Sequence, residues 1–502
     1  MDAREFRKEA EAGRVSVQEL LDALARLEKR TNALERENRI LRTRLKQYEP
    51  PPPLANDGAE TATDFSLDGE EKRRRRRRSK PKRRGRRRLQ EKLDQVQRWV
   101  DVYPEAAAPQ DCVFVRIRLA WCISDKNQAE FVGYRLYRRR GQRDPAQPLG
   151  LLPRCQYSIE IVATLAFLHL IMRLSLDRAC EVLSFFWALP LAKSQANALL
   201  DQLAQHWEPE FDALCELIVL AAVLHADETS WPVGADNTSL WVFLSALHSV
   251  FKFGVHKDKA TLHETVPPQL FRGILVSYDA AVYDSYARAQ KCWAHLLRKA
   301  IKLALLYPDK PAYRQFLDDL LAVYRRALRH QQDQRLSASG REQKVAALHD
   351  AVWDACAPHQ RIWEKPGTPQ EHDFSNLVHE LFRLIERDEL FTFVREPEAA
   401  ATNNEAERTQ RGPALDRNEG RGSKTARSAR RRSVLASVLD SLRKNLTPFR
   451  LASVKAELLR WAREGVSLFR RQLAELKAQL EDAPVGTLSG AMSAVVTPPQ
   501  RE

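Results

Sequence analysis

Residues 218–227 read IVLAAVLHAD, an apolar run closed by a carboxylate. Such a run, bounded by polar words, predicts a buried strand over Ile218–Ala226 that delivers Asp227 to its end. Leu240–Leu247 and Val250–Val255 are two further β-rich runs, close enough together for a hairpin. Thr261–Val266 reads as a short helix, and Gly273–Ser277 as a short strand leading into Tyr278 and Asp279. From Lys291 to Leu390 the apolar period becomes helical, with breaks at Pro308 and at the polar stretch Gln331–Arg341. The expected fold is therefore α/β, a mixed sheet interrupted by a large α-helical insertion at 291–390. Helical patterns flank it: Ala179–Trp187 and Ser194–Ala204 around Pro190, and Ser433–Leu480. The pair around Pro190 suits either a helix-turn-helix or plain helical packing, and both readings stay open.

The N-terminal segment has a different period. Leu20, Leu27, Leu34, Leu41 and Tyr48 recur every seven residues, with Val17, Leu24, Thr31, Asn38 and Leu45 at the complementary positions. That is a coiled-coil pattern, and a buried amide at Asn38 favours a parallel, in-register dimer. Pro50–Pro53 ends the helix, because proline lacks the N–H and clashes with the preceding turn. Beyond it, Lys72–Arg88 reads KRRRRRRSKPKRRGRRR, 14 basic residues in 17. The whole chain of 502 residues carries a net charge of +15, so outside this tract the balance is only +1 (15 less 14). A tract of this kind favours a polyanion, and Arg73, Arg76, Arg83 and Arg86 are expected to contact DNA phosphates without reading sequence. A basic-region zipper is a poor reading, because there the basic helix runs unbroken into the N-terminal end of the coil. Seven scattered cysteines make no disulfide framework and point to a reducing interior. The N-terminus lacks the apolar core of a signal peptide, and no apolar stretch is long enough to span a bilayer, so a soluble intracellular protein is expected.

Three carboxylates stand out. Asp227 and Asp279 each close an apolar strand, where a side chain can emerge at the sheet's end beside solvent. Glu407 lies in TNNEAER, at the start of a polar segment with helical character. Phosphodiester chemistry needs such groups, because two Mg²⁺ ions held roughly 3.5–4 Å apart by oxygen ligands activate the attacking oxygen and stabilise the leaving one. Spacing alone is weak evidence, since 66 acidic residues supply many such triples.

The local words are more specific. HADETSWPV around Asp227, GILVSYDAAVYDSY followed by QKCWAHLLRK, and TNNEAERTQRG around Glu407 occur in this order. Together with the coiled coil they resemble transposases of the insertion sequence 66 family, over about residues 150–450. The resemblance implies a ribonuclease H-like catalytic domain and metal-dependent strand cleavage and strand transfer at the terminal inverted repeats of a bacterial insertion sequence. It implies Asp227, Asp279 and Glu407 as the catalytic and metal-binding residues, with two Mg²⁺ ions or Mn²⁺, and a homodimer or larger assembly on DNA. Two departures matter. The family's second Asp usually follows a G-x-L-V-S word, where this chain has Tyr278 with Asp279 one residue later. The small zinc-binding module of many relatives is degenerate in residues 91–150, where Cys112 and Cys122 are too few for a zinc site.

The expected organisation is a coiled-coil helix at 1–49, a Pro- and Arg-rich linker at 50–90, the small module at 91–150 and a helical, DNA-binding candidate region at 151–216. The catalytic domain follows at 217–432, then a C-terminal helical region at 433–482 and a disordered tail at 483–502. Arg408–Arg432 holds nine basic residues against two acidic, and Arg408, Arg411, Arg417 and Lys424 are expected to clamp DNA phosphates beside Glu407. Cys292 and His295, in CWAH, read as a buried thiol and imidazole supporting the first insertion helix, with half of a metal site as the other reading. Trp293 is expected to pack in that helix, and Trp231 faces either sheet or DNA. The competing functional reading is a catalytically decayed transposase that only binds DNA, which Tyr278 favours. A general nuclease would leave the coiled coil unexplained.

Overall fold

The computed structural model describes residues 89–360 and 368–482, all within one unit, Arg87–Glu502. The expected coiled coil, the Arg-rich arm with Arg73, Arg76, Arg83 and Arg86, and the tail at 483–502 lie outside the described residues.

A short helix, α1 (Leu89–Leu93), leads into a three-stranded sheet of β1 (Arg98–Val102), β2 (Cys112–Ile123) and β3 (Ala129–Arg139). Strand β3 lies in the middle, parallel to β1 and antiparallel to β2. Cys122 is buried here, its sulfur 3.2 Å from the Tyr134 hydroxyl. Three helices follow: α2 (Ile159–Leu170), α3 (Leu176–Trp187) and α4 (Lys193–Val219). Ser175 caps α3 by accepting from the Arg178 N–H, and Ala188, at φ 53°, ends it in the left-handed conformation. Helix α4 is buried along its length, from Ala196 to Ile218, which is the arrangement of a core helix.

The second sheet contains β4 (Val223–Ser230), β5 (Ser239–Leu244), β6 (Ser249–Val255), β7 (Ile274–Ser277) and β8 (Ala289–Lys291), with α5 (Lys259–Thr265) between β6 and β7. Its order is β6-β5-β4-β7-β8; the β4–β5 and β5–β6 pairs are antiparallel, the β4–β7 and β7–β8 pairs parallel. The hairpin and the short helix match the sequence expectation. The first strand does not begin at Ile218: Ile218 and Val219 close α4, a turn intervenes, and β4 starts at Val223. One apolar run serves two elements, because a buried helix end and a buried strand have the same composition. Gly273 sits where a Cβ would come within 2.2 Å of the Ala221 carbonyl oxygen, so only glycine lets β7 start against that turn.

The helices of the expected insertion are α6 (Trp293–Leu306), α7 (Pro311–Gln332), α8 (Ala338–Cys356), α9 (Pro369–Glu386) and the single turn α10 (Thr392–Arg395); all described strands precede them, so they follow the sheet rather than interrupt it. They have their own apolar cluster, which includes Trp293, Phe316, Leu348 and Leu381 and reaches the sheet at Ile274 and Val276. Four helices complete the described residues: α11 (Asn404–Asn418), α12 (Ala426–Asn445), α13 (Leu451–Glu464) and α14 (Leu468–Asp482). The other face of the sheet, with Leu224, Ala226 and Leu275, shares a single core with α2, α4, α12 and α13.

Helix α12 is bound to β6 by a serine ladder. The Oγ atoms of Ser441, Ser437 and Ser433 accept the N–H groups of Ser249, Phe251 and Phe253, each at 2.9 Å. The three serines are buried and stand four residues apart on one helix face, while their partners are alternate residues of the strand.

Candidate active site

Three elements converge at the carboxyl end of β4. Asp227 is 8% exposed, and its Oδ1 accepts the N–H of Glu228 at 3.0 Å. Burial and the neighbouring Glu228 charge push the Asp227 carboxyl up to about 7; the Glu407 charge adds to the rise, while the Glu228 N–H and Lys257 oppose it. Glu407 stands in the first turn of α11, directed to α6: Arg298 donates to both of its oxygens at 2.9 and 3.1 Å, and His295 Nδ1 lies 3.6 Å from Oε1.

The placement of α11 rests on Asn403, which is fully buried. Its Nδ2 donates to the Ala226 carbonyl at 2.8 Å, its Oδ1 lies 3.0 Å from His225 Nδ1, and its backbone N–H donates to Cys292 Sγ at 3.1 Å. One residue thus joins β4, the start of α6 and the start of α11. The sequence reading passed over it, although it stands inside the quoted TNNEAER word.

Asn403 ties the strand that carries Asp227 to the helix that carries Glu407, whereas Asp279 has other partners. The Asp279 carboxylate accepts from Arg383 of α9 and acts on Glu380, which is bonded in turn to Lys299 at 2.5 Å. Tyr278 turns instead toward Glu228: the Tyr278 and Tyr283 hydroxyls both donate to that carboxylate, and Lys257 Nζ pairs with it at 2.7 Å. Lys257 also donates to the Tyr278 hydroxyl at 2.9 Å, and the Tyr278 ring lies 5.7 Å from the His295 ring. The Glu228 hydrogen bond, reinforced by Tyr278, holds the Lys257 ammonium protonated above its ordinary range. Glu228, with a side chain only 1% exposed, and Lys257 were not expected from sequence.

Much of the basic charge of Arg408–Arg432 is spent internally. Arg421 and Arg432 both pair with the buried Asp416, and Arg432 lies over the Trp231 ring at 4.9 Å. Trp231 is fully buried, so it faces the core. Arg427 and Arg431 pair with Asp201 of α4, and Arg430 with Glu208. Arg417 donates to the Ser230 carbonyl at 2.6 Å, and Arg408 to Asn404 one turn back on its own helix. Arg411 and Lys424 are exposed, and Arg411 follows Glu407 by four residues on the same face of α11. Trp293 is buried in the insertion core.

A family model described as transposase IS66 family matches residues 154–431, and no curated protein matches the chain. The matched span covers more than half of the chain and contains Asp227, the insertion and Glu407. The chain belongs to the transposase IS66 family, and that membership implies a transposase role, with DNA as its partner. Among the described residues, no helix is long and apolar enough to cross a membrane.

Proposed function

We propose that this protein is a DDE-type DNA transposase that cleaves and joins strands at the ends of a bacterial insertion sequence, acting at the nucleoid in the cytoplasm. The observation that carries the reading is Asn403, which ties the strand that carries Asp227 to the start of the helix that carries Glu407. The sheet order, with three antiparallel strands followed by two parallel ones, supports a ribonuclease H-like domain with a helical insertion.

Asp227 and Glu407 offer oxygen donors of the kind a divalent ion takes. Burial first, then the charges of Glu228 and Glu407, raise the Asp227 carboxyl, and a cation beside it would relieve this. Asp227 and Glu407 do not by themselves fit two ions, because Asp279 is engaged by Arg383 and the family's usual second carboxylate position holds Tyr278. A bound Mg²⁺ or Mn²⁺ would supply activation of the attacking oxygen at a scissile phosphate. The chain's own residues prepare that place: Arg298 fixes Glu407, Asn403 fixes the start of α11, and Arg411 offers a charge to the DNA backbone beyond the site. The N-terminal coiled coil is proposed to join two such chains, and the arm at Lys72–Arg88 to hold DNA non-specifically.

Cleavage of a labelled element end in Mg²⁺ tests the proposal. Asp227→Asn and Glu407→Gln should abolish cutting while end binding persists; cutting that survives either change overturns it. The second reading, a protein that binds ends without cutting, is favoured by the Tyr278 and Arg383 contacts. It predicts an inert native protein and activity gained on Tyr278→Asp.

A further inference from the structure

Cys292 and His295 form only half of a metal site in sequence, and the fold supplies a third ligand from more than a hundred residues away. The ligand atoms of Cys292, His295 and Glu407 all lie within 4.8 Å of one another. From this convergence of a thiol, an imidazole and a carboxylate we propose that the three residues bind a zinc-class divalent ion with one coordination position left open.

Four observations support the site. The first is distance: a tetrahedral zinc with one sulfur and two nitrogen or oxygen ligands sets those atoms roughly 3.3–3.6 Å apart, and His295 Nδ1 already stands 3.6 Å from Glu407 Oε1. Closing the remaining separations requires shifts of up to about 1.2 Å, and Glu407 must also release one of the two oxygens that Arg298 holds. The second is an orphaned atom: His295 Nδ1 is buried and has no hydrogen-bond partner, which a metal bond would satisfy. The third is preorganisation. Cys292 is buried as the N-cap of α6, and its sulfur accepts the Asn403 N–H, a contact that fixes its orientation. The fourth is the mixture of exposure. Cys292 is buried, whereas the His295 and Glu407 side chains are 32% and 21% exposed, so the open position faces outward.

The donor set also separates this ion from magnesium. A thiolate and an imidazole select zinc, cobalt and similar ions over Mg²⁺, which prefers oxygen. Glu407 is common to both places, so an ion on Cys292 and His295 competes for a carboxylate of the cleavage site. Binding itself requires no catalysis and holds whether or not the protein cuts DNA.

The experiment is titration of the metal-free full chain with Co²⁺, followed by absorbance. The expected result is a thiolate-to-cobalt charge-transfer band with tetrahedral d–d bands, saturating at one ion per chain, unaffected by excess Mg²⁺ and removed by Zn²⁺. Cys292→Ser should remove the charge-transfer band, and Cys356→Ser, at a buried thiol away from the site, should leave it intact. His295→Gln, which leaves the buried thiol and its contacts in place, removes a direct ligand and should raise the Kd for Co²⁺ by more than the roughly ten- to hundredfold that losing an outer partner costs. The proposal is overturned if the native chain shows no charge-transfer band, if the band survives Cys292→Ser, or if His295→Gln binds cobalt as tightly as the native chain.

Discussion

Removing the Asp416 carboxylate should destabilise the protein far more than its place in a basic surface segment suggests. Asp416 is 2% exposed and accepts from two arginines. Arg421 is about a quarter exposed and can turn to water when its partner is lost. Arg432 cannot: burial already pushes its guanidinium down, that guanidinium lies over the Trp231 and Phe253 rings, and its remaining polar contact is the Arg421 carbonyl at 3.1 Å. Asp416→Ala therefore strands a buried cation, and breaking a buried pair from one side costs about 3–5 kcal/mol. Removing the cation as well, in Asp416→Ala with Arg432→Met, keeps an apolar side chain against Trp231 and should recover all but about 1–2 kcal/mol. Urea unfolding followed by tryptophan fluorescence measures both variants. Because Arg432 is internal, the double variant should also bind DNA with the native salt dependence. A single variant within about 1 kcal/mol of the native chain, or a double variant that loses more than the single, would refute the argument.

Other consequences are as direct. Asp227, raised from 3.8 to about 7, is the case in which the unfolded chain gives up its proton first. Its contribution is neutral below pH 3.8 and grows unfavourable as pH rises toward 7, so Asp227→Asn should be progressively more stable than the native chain, by about 2–4 kcal/mol at pH 7.5 in chelator. A pH-independent difference would show that the carboxylate is not raised. Asp279→Asn should abolish cleavage if Asp279 leaves Arg383 for the metal, and should leave cleavage intact if it stays paired; the labelled-end assay distinguishes the two. Ser437→Ala leaves the buried Phe251 N–H without its partner and should cost about 1–3 kcal/mol, with faster amide exchange at Phe251. Deleting Lys72–Arg88 should weaken binding equally on end and random DNA and flatten its salt dependence; lost end discrimination with an unchanged slope would assign the arm a reading role.

The parts of this fold legible in sequence were those with a local signature. The hairpin β5–β6 announces itself by two apolar β-rich runs, α5 by its period behind the Asp258 cap, and Glu407 by the word that opens α11. What sequence hides is set by distant partners. Strand β8 is three residues long and is held by the Glu389 carbonyl on Lys291 N–H, a contact no window of sequence contains. Asp279 takes its direction from Arg383, 104 residues later. The arginines of 408–432 read as a free cationic patch because their acidic partners lie partly on α4, some 220–230 residues earlier. Charge counted along a chain measures composition, and only packing decides how much of it faces solvent.

The serine ladder between α12 and β6 has a built-in length. Four helical residues advance roughly 6.0 Å, whereas two strand residues advance roughly 6.8 Å. With ideal geometry each added rung falls about 0.8 Å further out of step; three rungs absorb this here, each bond staying at 2.9 Å, and a fourth would add to the stretch. A helix can therefore clothe only about five residues of a strand edge by this device, and β6, at seven residues, is close to that length. Within that span the outer margin of the sheet offers no row of free N–H groups as a template for another strand. Neither a second copy nor a misfolded neighbour can extend the sheet there without first prising off α12.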